Sequence, residues 1–372
     1  MFLSTIAVAS FLATSCAAAS SPLYTIDPVW PVSLSSLNVT TVTAVVVFNH
    51  EVLVAQRGFA VPYFLVFDDK KGDLIRSWGP AGIDSPHGMF WSPTEPGALF
   101  IVDIANATVK EFNATSDGKV LLGVSGMPGV HGAGTNPMQF SSPADAALTS
   151  RGVLLVSDGD GGSNNRVSAL SREKKTYGSM LWTVGSAGTG PTDFSSPHSI
   201  AYLAGVDMAI VADRGNSRIK FLAASTGEML GEWDSIECFN AQPTSPGTAW
   251  GVRVDSARGR LFVADGALGT IYVLSVSGGT GWSSNSVPSC DGALLDTLSA
   301  PTIDSKPHEM AVDEMTGDLY VRGGEGGKKQ RKVINSESLL AHNVLNRIVS
   351  HPHSHPLPLS SSGCLCRDCW KG

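Results

Sequence analysis

Apolar positions along the 372-residue chain fall into short runs bounded by Gly, Pro, Asn, Asp and Ser, the pattern of brief strands separated by turns. One run ends in Asp at a nearly constant interval: Leu99-Phe-Ile-Val-Asp103, Leu154-Leu-Val-Ser-Asp158, Met208-Ala-Ile-Val-Ala-Asp213 and Leu261-Phe-Val-Ala-Asp265, spaced by 55, 55 and 52 residues. About 15 residues before each Asp stands an opening signal: Ser85-Pro-His-Gly, Ser142-Pro-Ala-Asp, Ser196-Pro-His-Ser and Thr248-Ala-Trp-Gly. A further β-rich run follows most of them, as in Asn106-Ala-Thr-Val-Lys-Glu-Phe112, Asn216-Ser-Arg-Ile-Lys-Phe221 and Gly269-Thr-Ile-Tyr-Val273. Each unit therefore reads as strand, turn, strand, turn, strand.

Two weaker copies flank these four. Thr43-Ala-Val-Val-Val-Phe48, Val52-Leu-Val-Ala55 and Phe64-Leu-Val-Phe-Asp68 lie upstream, and Lys306-Pro-His-Glu-Met-Ala-Val-Asp313 with Leu319-Tyr-Val321 lies downstream. Six β-rich units at this period predict an all-β chain folded as a six-bladed β-propeller, which hides most strand edges by radial repetition. An irregular sandwich predicts no fixed interval. The propeller is expected over residues 40–322, with its last blade incomplete, because after Val321 the pattern gives way to a basic, then Ser/Asn-rich, then His/Pro/Cys-rich stretch. Residues 323–372 read as an irregular tail, either aberrant or a genuine extension.

Composition narrows the class. With 42% hydrophobic residues and 40 glycines in no three-residue period, the chain can build a core and is not collagenous. Lys and Arg number 26 against 33 Asp and Glu, so no broad basic surface exists for nucleic acid. Residues 1–19 are apolar and small and read as a secretory signal peptide, with an ordinary buried first strand as the other reading; no later stretch is long enough to span a membrane. A secreted monomer is expected, glycosylated if the host permits at Asn38, Asn106 or Asn113, each of which opens an Asn-x-Thr sequon. Cys16 leaves with the signal. Cys238 and Cys290 are available to pair in an oxidising compartment, and Cys364, Cys366 and Cys369 lie with His351, His353 and His355 in the tail.

Three histidines occupy one repeat position: His87, His198 and His308, separated by 111 and 110 residues, two repeats each time. In a six-bladed ring they fall about 120° apart around the axis, the arrangement of a three-His metal site with an open position. The other reading is a blade-opening turn whose imidazole only bonds backbone. That reading predicts no alternation, yet blades three and five carry Ala144 and Trp250 in the slot.

Ser196-Pro-His-Ser-Ile-Ala-Tyr-Leu203 followed by Val211-Ala-Asp-Arg-Gly-Asn-Ser-Arg-Ile219, with Pro86-His-Gly-Met89 and Gln56-Arg-Gly58, resembles peptidyl-α-hydroxyglycine α-amidating lyase, a six-bladed propeller of the NHL-repeat type. The resemblance runs from about Thr43 to Val321. It implies zinc on His87, His198 and His308, and Arg57 and Arg214 at the carboxylate and hydroxyl region of a peptide ending in α-hydroxyglycine or a similar carboxylated small molecule. The implied reaction releases a peptide amide and glyoxylate. It also implies a structural calcium bound by the Met89 backbone and the Glu309 side chain, where the family has Asp. The family's proton-transferring Tyr is replaced by Asp160, in a loop two residues longer, which reads either as a base or as a turn residue. The competing functional class is a non-catalytic NHL-type propeller that binds a peptide or protein partner. A calcium-dependent lactonase is disfavoured by the three-His register.

Overall fold

The computed structural model describes residues 23–351 apart from 29, 32–38, 40, 58–62, 80–81, 114–119, 174–175, 242–246, 277–281, 300–305 and 325–344. The signal segment, the Asn38 sequon, Gly58 and the cysteines of the tail lie outside the described residues. Among those described, no helix is long and apolar enough to cross a membrane.

Among the described residues, twenty-four strands form six antiparallel sheets of four, so the structure is a six-bladed β-propeller. The innermost strands are Thr41–Phe48, Pro86–Trp91, Pro143–Leu148, Pro197–Leu203, Ala249–Asp255 and Lys306–Val312, and each packs against the next around a closed ring. The apolar core lies between blades. Phe100 and Val102 of blade two meet Ala146 and Val156 of blade three, and Ile210 and Phe221 of blade four meet Val252 and Val263 of blade five. Both faces of these sheets are covered, which is why their strands read as nearly continuous apolar runs.

Blade six corrects the sequence expectation of an incomplete unit. Its third strand is Leu345–Ser350, inside the stretch expected to be irregular, and its outermost strand is Tyr24–Ile26, from before the expected start of the propeller. Tyr24 pairs with Ser350 and Ile26 with Ile348, and the Trp30 ring packs edge-on against Phe67 of blade one and Tyr320 of blade six. The ring thus closes by joining the two ends of the described chain. Cys238 and Cys290 form a disulfide, with Cα atoms 5.4 Å apart, between the short helix after blade four and the loop before the last strand of blade five.

The recurring Asp has a structural role. Asp103, Asp158 and Asp213 each accept backbone N–H groups from the turn that opens their own blade, namely those of Asp84 and Ser85, of Ser141 and Ser142, and of Ser195. Each also pairs with a cation on the next strand: Lys110 at 2.6 Å, Arg166 at 3.3 Å and Arg218 at 2.8 Å. An Asn completes each set, and Asn106, Asn164 and Asn216 all donate to the same carboxylate. The Asn106 amide nitrogen also donates to Asp84, so a glycan on that sequon, which replaces one of the two amide hydrogens, would remove at least one of these bonds.

Blade five lacks these partners, with Leu268 and Thr270 in the Asn and cation positions. Asp265 is buried, its Oδ2 has no hydrogen-bond partner, and burial pushes its carboxyl up to about 6 against the backbone N–H groups of Leu268 and Ala267. A raised folded-state pKa means a stability contribution that is complete below pH 4 and lost as pH rises through about 6. Asp265→Asn should therefore raise the melting temperature above that of the wild type by about 2–4 °C at pH 7.5, with the difference vanishing by pH 4.5. Thermal melts across that pH range provide the check, and a pH-independent difference would reject the assignment.

Candidate functional site

In every blade the innermost strand carries a register irregularity at the same place. It falls at Thr43, at His87-Gly88, at Ala144, at His198, at Trp250 and at His308. An extra residue on one strand re-aims a side chain that would otherwise follow the alternation of the pleat. Here it brings the three histidines together, with ring centroids 5.1, 5.4 and 4.5 Å apart and one ligating nitrogen of each within 4.8 Å of the others.

Blades three and five orient two of these rings. His87 Nδ1 is 2.8 Å from the carbonyl oxygen of Ala144, and His198 Nδ1 is 2.7 Å from that of Trp250, in each case the slot residue of the following blade. A carbonyl only accepts, so both Nδ1 atoms donate, and the Nε2 atoms are the ones left to face the axis. His198 is fully buried and its Nε2 has no hydrogen-bond partner. Burial, reinforced by Arg214, holds its pKa well below the usual imidazole range; burial and the neighbouring His198 do the same to His308. Three converging imidazoles, two of them held well below their usual range and one with an orphaned buried nitrogen, fit a borderline cation of the zinc type.

Three more residues predicted from the sequence join them. Asp160 lies between Arg214 and the histidines, with Oδ1 2.8 Å from Arg214 Nη2 and Oδ2 3.3 Å from His87 Nε2. Burial alone would raise the Asp160 pKa, but the two imidazoles and Arg214 outweigh it and hold the carboxyl far below the usual range, so it accepts a proton poorly. Arg214 opens the turn after the Met208–Asp213 strand, and its carbonyl would lie 1.6 Å from a Cβ at Gly247, whose φ of +114° also demands glycine. Arg57 ends the Glu51–Arg57 strand, and its Nε donates to the carbonyl oxygen of Pro86, beside His87. Burial lowers its pKa, with Asp160 and Asp103 opposing. Trp250 is a wall that the sequence noted only as a non-histidine: its ring stands edge-on to His308 at 5.5 Å and beneath Arg214 at 5.5 Å.

The place implied for calcium has a different occupant. Arg253 reaches under the histidines and donates to Glu309 Oε2 at 3.0 Å, to Asp145 Oδ2 at 2.8 Å and to Ser199 Oγ at 3.0 Å. Met89 buries its side chain in the core between blades one and two. The guanidinium already supplies the positive charge these carboxylates require, so the residues do not fit a calcium ion. The signal for this layer was in the sequence: Asp145, Ser199 and Glu309 each directly follow a slot residue. Removing Arg253 would leave two buried carboxylates facing each other. Arg253→Ala should cost about 3–5 kcal/mol, read from urea unfolding, while a calcium chelator should leave the wild-type melting temperature unchanged.

No protein-family model matches the chain. NHL repeat-containing protein 3 of Mus musculus is 36% identical over 315 residues, covering 83% of each chain. Peptidylglycine alpha-amidating monooxygenase of Rattus norvegicus is 31% identical over 193 residues, 50% of this chain and 19% of that one. A solved luciferin-regenerating enzyme superimposes with a TM-score of 0.55 at 15% identity, over 88% of this chain and 95% of that one, and shares the fold. The repeats, the closed ring and the extent of the first of these similarities place the chain in the NHL repeat-containing protein 3 family.

Proposed function

We propose that this protein is a zinc-dependent carbon–nitrogen lyase that acts on a carboxylated carbinolamide, such as a peptide ending in α-hydroxyglycine, in the secretory pathway or outside the cell. The observation that carries the reading is the set of imidazoles of His87, His198 and His308, whose ligating nitrogens converge beside Arg214. Further support comes from the partial similarity to the amidating enzyme and to a probable peptidyl-alpha-hydroxyglycine alpha-amidating lyase of Caenorhabditis elegans, 25% identical over 183 residues.

When bound, the metal lowers the pKa of a hydroxyl oxygen placed on it. The protein's own groups do the rest. Arg214 and Arg57 bind the substrate carboxylate; a guanidinium offers paired donors and stays charged at every relevant pH. Trp250 backs Arg214 and limits the space beside His308. The carbinolamide hydroxyl loses its proton, its oxygen forms the aldehyde C=O as the C–N bond breaks, and the electron pair goes to the amide nitrogen, which takes up a proton. The products are the amide and glyoxylate.

The full chain purified without chelator should contain about one zinc by elemental mass spectrometry, and His198→Ala should lose it. Arg214→Ala should keep the metal but raise the KM for an N-acyl-α-hydroxyglycine peptide by about 10- to 100-fold, the worth of one hydrogen bond to a charged group. Glyoxylate release is the activity readout. A folded, metal-free wild-type protein would overturn the proposal in favour of a propeller that only binds a partner.

A further inference from the structure

We propose that Asp160 is a fourth ligand that closes the three-histidine site, a resident carboxylate in the seat where an incoming hydroxy acid would bind. This rests on the reading above that the histidines hold a metal, and it adds how that site is regulated.

The first argument is convergence. Asp160 Oδ2 faces His87 Nε2 at 3.3 Å and His198 Nε2 at 3.9 Å. The Nδ1 atoms of both rings are taken by the carbonyls of Ala144 and Trp250, so the nitrogens turned toward Asp160 are the ones left to ligate. The carboxylate oxygen thus stands among the same atoms that would hold the metal. The second argument is spacing. Four ligands at about 2.0–2.1 Å around a tetrahedral zinc lie about 3.4 Å from each other. The 3.3 Å separation of Asp160 Oδ2 from His87 Nε2 matches that edge, and its 3.9 Å separation from His198 Nε2 is about half an ångström longer.

The third argument is how the loop is built. Seven residues lie between Asp158 and Arg166, against four between Asp213 and Arg218 in blade four. The longer loop is fastened at Asp160 itself, whose N–H donates to the Ser142 carbonyl at 3.1 Å and whose carbonyl accepts from Ser142 Oγ at 2.6 Å. The matching second residue after the blade Asp is Ala105 in blade two and Gly215 in blade four, neither able to ligate. The lengthened loop brings the Asp160 carboxylate to the side of the histidines that faces Arg214.

Asp160 divides its oxygens between the histidines and Arg214. An α-hydroxy acid has the same two handles, a carboxylate for the guanidinium and a hydroxyl for the metal. Substrate and Asp160 therefore compete for the same seat, and the resting site is closed to small anions.

The test uses the full chain loaded with cobalt(II), whose visible spectrum reports its coordination, titrated with azide and separately with glycolate. The wild-type spectrum should not respond at concentrations that perturb Asp160→Ala, with a shift in the apparent binding constant of at least tenfold; Asp160→Asn, which keeps the side-chain volume, should also respond. Equal response in wild type and variants would overturn the proposal and leave the lyase reading standing. Absence of cobalt from the wild type would overturn both. A closed wild-type site together with no glyoxylate release from Asp160→Ala would uphold the fourth ligand and reject the lyase.

Discussion

A β-strand sends successive side chains to opposite faces, so the innermost strand of a propeller blade cannot by itself aim a chosen residue along the axis. The extra residue at Thr43, His87-Gly88, Ala144, His198, Trp250 and His308 lifts that restriction in all six blades. Everything at the axis follows from it. The irregularity turns the imidazoles inward in the even blades, and in blades three and five it turns backbone carbonyls toward the imidazole of the preceding blade, fixing the tautomer of His87 and His198. The alternation of histidine with Ala144 and Trp250 is thus a division of labour between side chain and backbone. Ala144 and Trp250 contribute through atoms that every residue has, which leaves their side chains free to shape the wall.

Directly beneath lies a second layer with the opposite electrical character. Asp145 and Glu309 are buried acids, and Arg253 binds both. Burial and the Asp145 charge push the Glu309 carboxyl well above its usual range, and the arginine is what keeps the pair tolerable. The upper layer, by contrast, holds three imidazoles around one carboxylate flanked by Arg214. The two layers thus keep separate arginines, Arg253 for the acids below and Arg214 for Asp160 above.

The repeat was legible because Asp103, Asp158 and Asp213 each cap the turn that opens their own blade, and a local hydrogen-bonding requirement leaves a local sequence trace. The histidine register was legible for a related reason, since counting two repeats between His87, His198 and His308 counts angles around the ring. Blade six was not, because its outer half is made by Leu345–Ser350 and Tyr24–Ile26, and no periodicity marks a pairing between segments so far apart. Asp160 was read as a turn residue or a base, since its loop is rich in Gly and Asn and gives no sign of where the carboxylate points. Arg253 resembled an ordinary charged strand residue, and its role emerged only once Asp145 and Glu309 were seen to share one side of the channel.

The joining of Tyr24 to Ser350 makes the protein a loop closed over more than 300 residues, and that alters what the axial site measures. An open row of repeats can lose an end unit while the rest stays intact, whereas a ring whose first and last segments share a sheet has no end unit to lose. The three histidines come from blades two, four and six, so their spacing is right only while the seam holds. A ligand gripped by all three binds the closed ring and not the opened one, and its binding free energy adds to the stability of the seam. Occupancy at the centre and integrity at the rim are thereby two readings of one equilibrium.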